Sequence, residues 1–304
     1  MKNTVAITGA TGLLGKAIAK NLLLNGYSLT TISRDAEKSR KILPFANKHI
    51  QWNSQMGTEV LANELNGTKA LVNLSGASVA DRLWSPEYKT IILNSRIKTT
   101  DAIVKALKEL SEPPTLVNAS AIGYYGDSGD TILDENCIKG DDFLAEVVDK
   151  WEKSAEAMQP HTRVVKARIG IVLASNGGAL QKMIQPYKLF VGGPLGSGNQ
   201  WMSWIHIDDL AEIFRFIIEN EEISGSVNLT APNPVTMKNF SSILGQAMHR
   251  PSFFKVPEFL LKLILGESAQ MVTFSQRVSS TLIQNQGFKF RFNNLNAALM
   301  DLLK

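Results

Sequence analysis

The stretch VAITGATGLLGKAIAKNLL, Val5 to Leu23, decides how this chain is read. A short apolar run with strand character leads directly into glycines at positions 9, 12 and 15, and then into apolar residues at helical spacing. Three physical demands meet there: a tight turn off a strand, main chain bare enough for a pyrophosphate to approach, and close packing of helix on strand. The first amides of the helix then face the anion. A P-loop is the nearest competitor, because Gly15-Lys16 resembles its end. It fails at Ala10 and Ala17, where that motif needs glycine and a hydroxyl.

Outward from this loop, short apolar runs alternate with helical periodicity, a pattern that builds a parallel sheet with crossover helices. TVAIT (4–8), SLTTIS (28–33), KALVNLS (69–75), TLVNAS (115–120) and RVVKARI (163–169) read as strands, and HIQW (49–52) as a weaker one. Helices are expected over 13–25, 36–46, 57–65, 86–110 and 141–158. Ser85-Pro86 opens the fourth and Asp141-Asp142 the fifth. Past residue 170 come the glycine-rich connections NGGAL and GGPLGSGNQ, a helix from about Asp208 capped by Asp208-Asp209, and the strand SVNLTA. The expected fold is α/β: a doubly wound parallel sheet of the NAD(P)-binding Rossmann type, with a smaller C-terminal substrate lobe. The Rossmann domain is expected over 1–230, with 170–204 contributing to the substrate lobe, and the lobe itself over 231–304.

Composition narrows the function classes. The 304 residues are 44% hydrophobic and 20% charged, ordinary for a globular chain, and the net charge of +4 is too small to argue for nucleic acid or an anionic membrane. One cysteine, Cys137, excludes an internal disulfide framework and a cysteine-built metal site. The start of the chain lacks a signal-peptide pattern, and the apolar run FLLKLIL is broken by Lys262. A cytoplasmic protein acting on a small molecule, with no nucleic acid, membrane or metal partner, is the expectation. No HExxH, paired-cysteine or GxSxG arrangement is present.

The end of the second strand carries the nucleotide preference. An NAD site usually places a carboxylate there for the ribose hydroxyls, and an NADP site an arginine for the 2′-phosphate. Ser33 and Arg34 occupy the position, so NADP is expected, with NAD the lesser alternative through Asp35.

With the glycine spacing, NLSG (73–76) and NASAIGYYG (118–126), the chain resembles the extended short-chain dehydrogenase/reductases. SGASVADRLWSPEYKTIILNSRIKTT, RIGIVL, GGPLGSGNQWMSWIHIDDL, NLTAPNPV and RPSFFKVPEFLLKLILGE sharpen the likeness to the atypical branch called the epimerase family. Members are sugar-nucleotide-epimerase-like and end in a domain of unknown function. The resemblance runs nearly end to end. It implies that Gly9, Thr11, Gly12, Leu13, Leu14 and Gly15 hold the pyrophosphate and that Ser33 and Arg34 hold the adenosine phosphate. It implies further that Leu74, Ser75 and Gly76 line the cofactor, and that Arg96 in NSR reaches a phosphate or ribose.

The wider superfamily performs its proton transfers with a Tyr-x-x-x-Lys pair on the fifth helix, where lysine lowers the high phenol pKa. In GDDFLAEVVDKWEKSAEAM, Phe143 stands where the tyrosine is expected and Val147 where the lysine is expected. Ser120 matches the superfamily's carbonyl-orienting serine, and Tyr124 or Tyr125 offers a phenol; the alternative for Tyr125-Gly126 is a structural turn. His206 reads as a structural histidine, and Arg82, Trp84, Gln200 and Trp201 as substrate-contact candidates. Two functions stay open: an NADP-dependent reductase or epimerase-like enzyme for a small carbonyl or nucleotide-sugar compound, and an NADPH-binding module that a partner reads. A homodimer through the helices at 86–110 and 141–158 is compatible with either.

Overall fold

The computed structural model describes residues 3–304. Seven strands form one parallel sheet: β1 (Thr4–Thr8), β2 (Ser28–Ser33), β3 (Lys48–Gln51), β4 (Ala70–Asn73), β5 (Thr115–Ala121), β6 (Val164–Ile169) and β7 (Gly225–Leu229). Their order is β3-β2-β1-β4-β5-β6-β7, which reverses direction between β1 and β4. That reversal opens the crevice at the carboxyl ends of the strands where ligands bind in doubly wound sheets. The helices are α1 (Leu13–Leu24), α2 (Ala36–Ile42), α3 (Thr58–Leu65), α4 (Pro86–Lys108), α5 (Phe143–Glu156), α6 (Gly178–Lys188) and α7 (Ile207–Glu219). Beyond them lie α8 (Met237–Met248), α9 (Glu258–Leu265), α10 (Gln270–Thr273), α11 (Thr281–Asn285) and α12 (Leu295–Leu302).

Period-two alternation decides which helix covers which face. Val5 and Ile7 of β1 pack with Ile18 and Leu22 of α1 and Phe214 of α7. Ala6, between them, packs with Leu61 of α3 and with Ile103 and Leu107 of α4. A third cluster, containing Leu180, Trp204, Phe240 and Leu299, joins α6, α8 and α12. The C-terminal segment also enters the first core, through Ile283 and Phe288. No helix among the described residues is long and apolar enough to cross a membrane.

Two boundaries differ from the sequence expectation for identifiable reasons. Helix α2 stops at Ile42 and not at 46, because Leu43 precedes Pro44 and leaves the helical region, with φ −126° and ψ 60°. Helix α7 is capped by His206, whose Nδ1 accepts the Asp208 N–H at 3.1 Å, and not by the Asp208-Asp209 pair. Asp209 instead accepts the N–H groups of Arg291 and Phe292, both at 2.9 Å, and ties α7 to the C-terminal segment. The expected caps of α4 and α5 are present: Ser85 accepts the Tyr88 N–H at 3.2 Å, and Asp142 accepts the Leu144 N–H at 2.8 Å.

Candidate active site

Gly9 ends β1 with φ +69°, a left-handed conformation that favours glycine, and a Cβ there would lie 2.9 Å from the Leu74 carbonyl oxygen. At Gly15 a Cβ would lie 2.6 Å from the Ala10 Cα, so α1 rests against the turn only because that side chain is missing. Gly12 is the N-cap of α1; it supplies no side-chain cap, and the first turn carries no acid. The amides of Leu13 and Leu14 therefore remain available to an anion. The side chain of Leu13 packs against Gly177 and Gly178 at the start of α6.

Opposite this loop, three adjacent strands share a buried polar ladder. Thr8 donates to Asn73 Oδ1 at 2.6 Å, and Asn73 donates from Nδ2 to Asn118 at 2.6 Å and to Thr100 of α4 at 3.0 Å. Trp151 of α5 donates to the same Thr100 hydroxyl at 3.1 Å, and Asn73 Oδ1 also accepts the Ser75 N–H at 3.2 Å. Each buried amide is thus satisfied, and the floor beneath Leu74, Ser75 and Gly76 is held rigid. Sequence reasoning quoted NLSG and NASAIGYYG without assigning the asparagines. Their signal is an asparagine in the same register position of two neighbouring strands.

Arg96 closes the wall beside Gly76. Its guanidinium donates to the carbonyls of Ala77 and Ile92 at 3.0 and 2.9 Å, and it lies over the Trp151 ring at 5.1 Å. A Cβ on Gly76 would come within 3.0 Å of its Cζ. No carboxylate pairs with it among the described residues, and burial pushes its pKa down to about 10 against a small opposing influence of Tyr88. A desolvated cation without a counter-ion is costly unless an anion arrives to complete it.

At the tip of β2, Arg34 is exposed. Ser33 donates to the Asp35 carbonyl at 2.7 Å, and the Asp35 carboxylate caps α2 through the Lys38 N–H at 2.8 Å. Among the described residues no hydrogen bond or ion pair holds the Arg34 side chain.

The positions where the superfamily carries tyrosine and lysine are sealed by apolar packing. Phe143 meets Trp84 edge-on at 5.2 Å, and Val147 is buried against Trp84, Tyr88 and Ile92. Trp84 Nε1 donates to the Val79 carbonyl at 2.8 Å and Tyr88 Oη to the Ser78 carbonyl at 2.6 Å, so the loop after β4 is folded down onto this cluster. Lys89 lies 4.8 Å above the Phe143 ring and is ion-paired with Glu267.

Of the three hydroxyls expected to do chemistry, two have hydrogen-bond partners. Ser120 donates to Glu152 Oε1 at 2.5 Å in a buried position. Glu152 is gripped by Arg168 through two bonds, at 2.8 and 2.9 Å, and Arg168 donates to Tyr125 Oη at 3.0 Å. Tyr125 donates in turn to Asn228 at 2.7 Å, and burial pushes its pKa up to about 12 despite the Arg168 charge. Burial alone would lower the Arg168 pKa, but Glu152 holds it above the usual arginine value. Burial likewise raises Glu135, which accepts the Asn228 N–H at 2.8 Å. Ser120 and Tyr125 are thus joined through Glu152 and Arg168 in one hydrogen-bonded network. Tyr124 has no hydrogen bond to its hydroxyl among the described residues, and its ring lies over Arg168 at 3.6 Å.

Other candidates are spent on structure. Gln200 donates to the carbonyls of Leu195 and Val272, both at 2.9 Å, and accepts from Ser197 and Gly198, leaving nothing for a substrate. Trp201 donates to Asp130 at 2.7 Å and stacks under Arg277. Arg82 is exposed, 5.8 Å from the Tyr88 ring centre. His206, Asp208 and Asp301 are spaced to share a cation, but the donor set does not suit one. With Nδ1 accepting the Asp208 N–H, the neutral ring carries its proton on Nε2, 3.5 Å from Asp301, where a metal would need a lone pair.

Residues 5–142 match the model of the NAD dependent epimerase/dehydratase family, and residues 256–302 that of a domain of unknown function, DUF1731. The chain is 38% identical over 307 residues to an epimerase family protein of Arabidopsis thaliana, the SDR39U1 homolog, covering 99% of this chain and 87% of that one. It is 37% identical to epimerase family protein YfhF of Bacillus subtilis, covering 98% and 97%. Human epimerase family protein SDR39U1 with NADPH superposes with a TM-score of 0.86 at 31% identity, over 98% of both chains. Solved structures of the same fold also hold NAD: MoeE5, WbmG of Bordetella bronchiseptica and the UDP-glucuronic acid 4-epimerase of Bacillus cereus, at 14–16% identity. The expectation that NAD is the lesser nucleotide is corrected accordingly: an exposed, unclamped Arg34 is no basis for ranking NADP above NAD.

Proposed function

The chain belongs to the epimerase family, and on that footing we propose that it binds NAD(P) along the Gly9-Gly12-Gly15 loop and acts on a small carbonyl or nucleotide-sugar-like compound. In this reading Thr11, Leu13 and Leu14 complete the loop, Ser33 and Arg34 meet the adenosine end, and Leu74, Ser75, Gly76 and Arg96 line the opposite wall. Residues 1–230 form the nucleotide domain; 231–304, with 170–204 contributing, form the substrate lobe. A homodimer through α4 and α5, supported by the half-exposed Ile91, belongs to the same reading and is checked by light scattering.

Two observations carry this reading: the Arg96 guanidinium has no carboxylate partner among the described residues, and the N-terminus of α1 has no side-chain cap or first-turn acid. Bound nicotinamide supplies the hydride chemistry. The protein's own residues seat the phosphates, exclude water through the Trp84-Phe143 packing, and offer the Tyr124 hydroxyl as proton donor, with Arg168 against its ring. Calorimetry with NADH and with NADPH tests the seat. Arg96→Met should weaken binding of the nucleotide that binds by about tenfold or more, the worth of a charged hydrogen bond. Failure of both nucleotides to bind the unaltered protein at millimolar concentration sinks the proposal.

A second reading, nucleotide binding without turnover, is supported by the apolar packing of Phe143 and Val147 where the superfamily carries its tyrosine and lysine. NAD(P)H oxidation across a panel of carbonyl and nucleotide-sugar compounds, repeated with Tyr124→Phe, separates the two. Turnover that survives the substitution removes Tyr124 as donor. Tight binding with no oxidation selects the second reading.

A further inference from the structure

Lys89 and Glu267 form an ion pair that neither the nucleotide seat nor the buried network uses. Lys89 stands in the first turn of α4, and Glu267 in the turn Gly266–Ala269 that follows α9. The pair therefore joins the sheet's own helices to the C-terminal segment. It does so over Phe143, where the superfamily would act on its substrate: Lys89 Nζ is 4.8 Å from that ring, and Met271 of α10 packs into the same cluster. The Lys89 side chain is 26% exposed and the Glu267 side chain 41%, so the contact is accessible from solvent. Half-exposed pairs of this kind exchange partners at little cost.

Glu267 also lines a cleft of about 490 Å³, together with Asp127, Glu258, Lys262, Gln270 and Phe274. In its wall, Gln270 Oε1 is buried without a hydrogen-bond partner among the described residues. A buried acceptor in that state calls for a donor, such as a ligand hydroxyl. Glu267 thus links the Lys89 cation to the cleft, and Met271, next to Gln270, links the cleft wall to the sealed tyrosine and lysine positions.

We propose that Lys89 is the specificity-determining cation of the substrate site, and that Glu267 occupies it in the free protein as an internal stand-in for a carboxylate carried by the substrate. The substrate class is then a hydroxylated compound bearing a carboxylate, which displaces Glu267 from Lys89 and offers a hydroxyl to Gln270. This rests on the nucleotide site proposed above.

The test uses the full chain saturated with whichever of NADH or NADPH binds, and the matched probes UDP-glucuronic acid and UDP-glucose, which differ only in carboxylate against hydroxymethyl. Calorimetry should show the carboxylate probe binding at least about tenfold more tightly. The difference should vanish in Lys89→Met and be retained in part in Lys89→Arg. In Glu267→Gln the carboxylate probe should bind more tightly still, the neutral probe unchanged. Equal affinities in the unaltered protein, including no binding of either probe, overturn the proposal, as does a difference that survives Lys89→Met. Nucleotide affinity is measured separately in each variant: its loss in the unaltered protein would count against the nucleotide site, whereas intact nucleotide binding with no carboxylate preference counts against this inference alone. Thermal melting of each variant confirms the fold, and the Glu267→Gln arm keeps the test decisive if Lys89→Met does not fold.

Discussion

Glu152 is the residue on which the interior of the site depends most. It neutralises Arg168 through two hydrogen bonds and accepts the Ser120 hydroxyl, all in a buried setting. Glu152→Gln would leave a buried guanidinium without its counter-charge, and chemical denaturation should register a loss of about 3–5 kcal/mol. Ser120→Ala removes one hydrogen bond from the same carboxylate and should cost on the order of 1 kcal/mol while leaving nucleotide affinity unchanged. Turnover lost in Ser120→Ala with nucleotide affinity intact would support the carbonyl-orienting role expected from sequence. That role was read from position alone. Ser120 does end the right strand, but its partners come from α5 and β6, and no local pattern announces that Arg168 and Glu152 will meet there. Gly15 is the opposite case, because its neighbours Gly9 and Ala10 are close in sequence and the motif carries its own geometry. Gly15→Val should abolish nucleotide binding, as read by fluorescence titration.

Element boundaries follow local chemistry where the cap lies in the chain's immediate neighbourhood. Ser85-Pro86 and Asp142 open α4 and α5 as the sequence implies. Pro44 ends α2 early by a rule that was equally legible but outweighed by periodicity. The start of α7 was misread because an aspartate pair resembles a cap, while the tertiary partners of Asp209 lie in the C-terminal segment. His206 makes this boundary pH-sensitive. Burial pushes its pKa below the ordinary 6.5, against the upward pull of Asp208, Asp209 and Asp301 and with a downward push from Arg291. Between 6.5 and the lower folded value the unfolded chain binds more protons, so stability falls as pH falls through that window. Asp209, raised by burial, acts in the opposite sense at more acid pH. His206→Asn keeps a capping oxygen without the titration. From pH 7 to pH 5 the unaltered protein should lose on the order of 1 kcal/mol more than this variant. Parallel pH profiles from melts would instead show that His206 has the same pKa in the folded and unfolded chain.

At the scale of the molecule, the alternation of strand and helix made the sheet and its switch point readable from sequence, because each βα unit repeats the same local grammar. The C-terminal segment was not readable in that way: its helices are short, and their apolar faces are spoken for by distant partners. A bound nucleotide should raise stability by about 2.7 kcal/mol at a hundredfold excess over its Kd, visible as a rise of several degrees in the melting temperature. An unchanged melting temperature under saturating NADH and NADPH alike would count against the seat. The positions of Ile283 and Phe288, inside the core formed by α1 and α7, carry a consequence for synthesis. As the nascent chain leaves the ribosome, all seven strands emerge before the residues that plug this face. Until residues 283–288 have emerged, the half-built protein presents greasy surface to the cell, and a chaperone that shields it would have to let go only after that point.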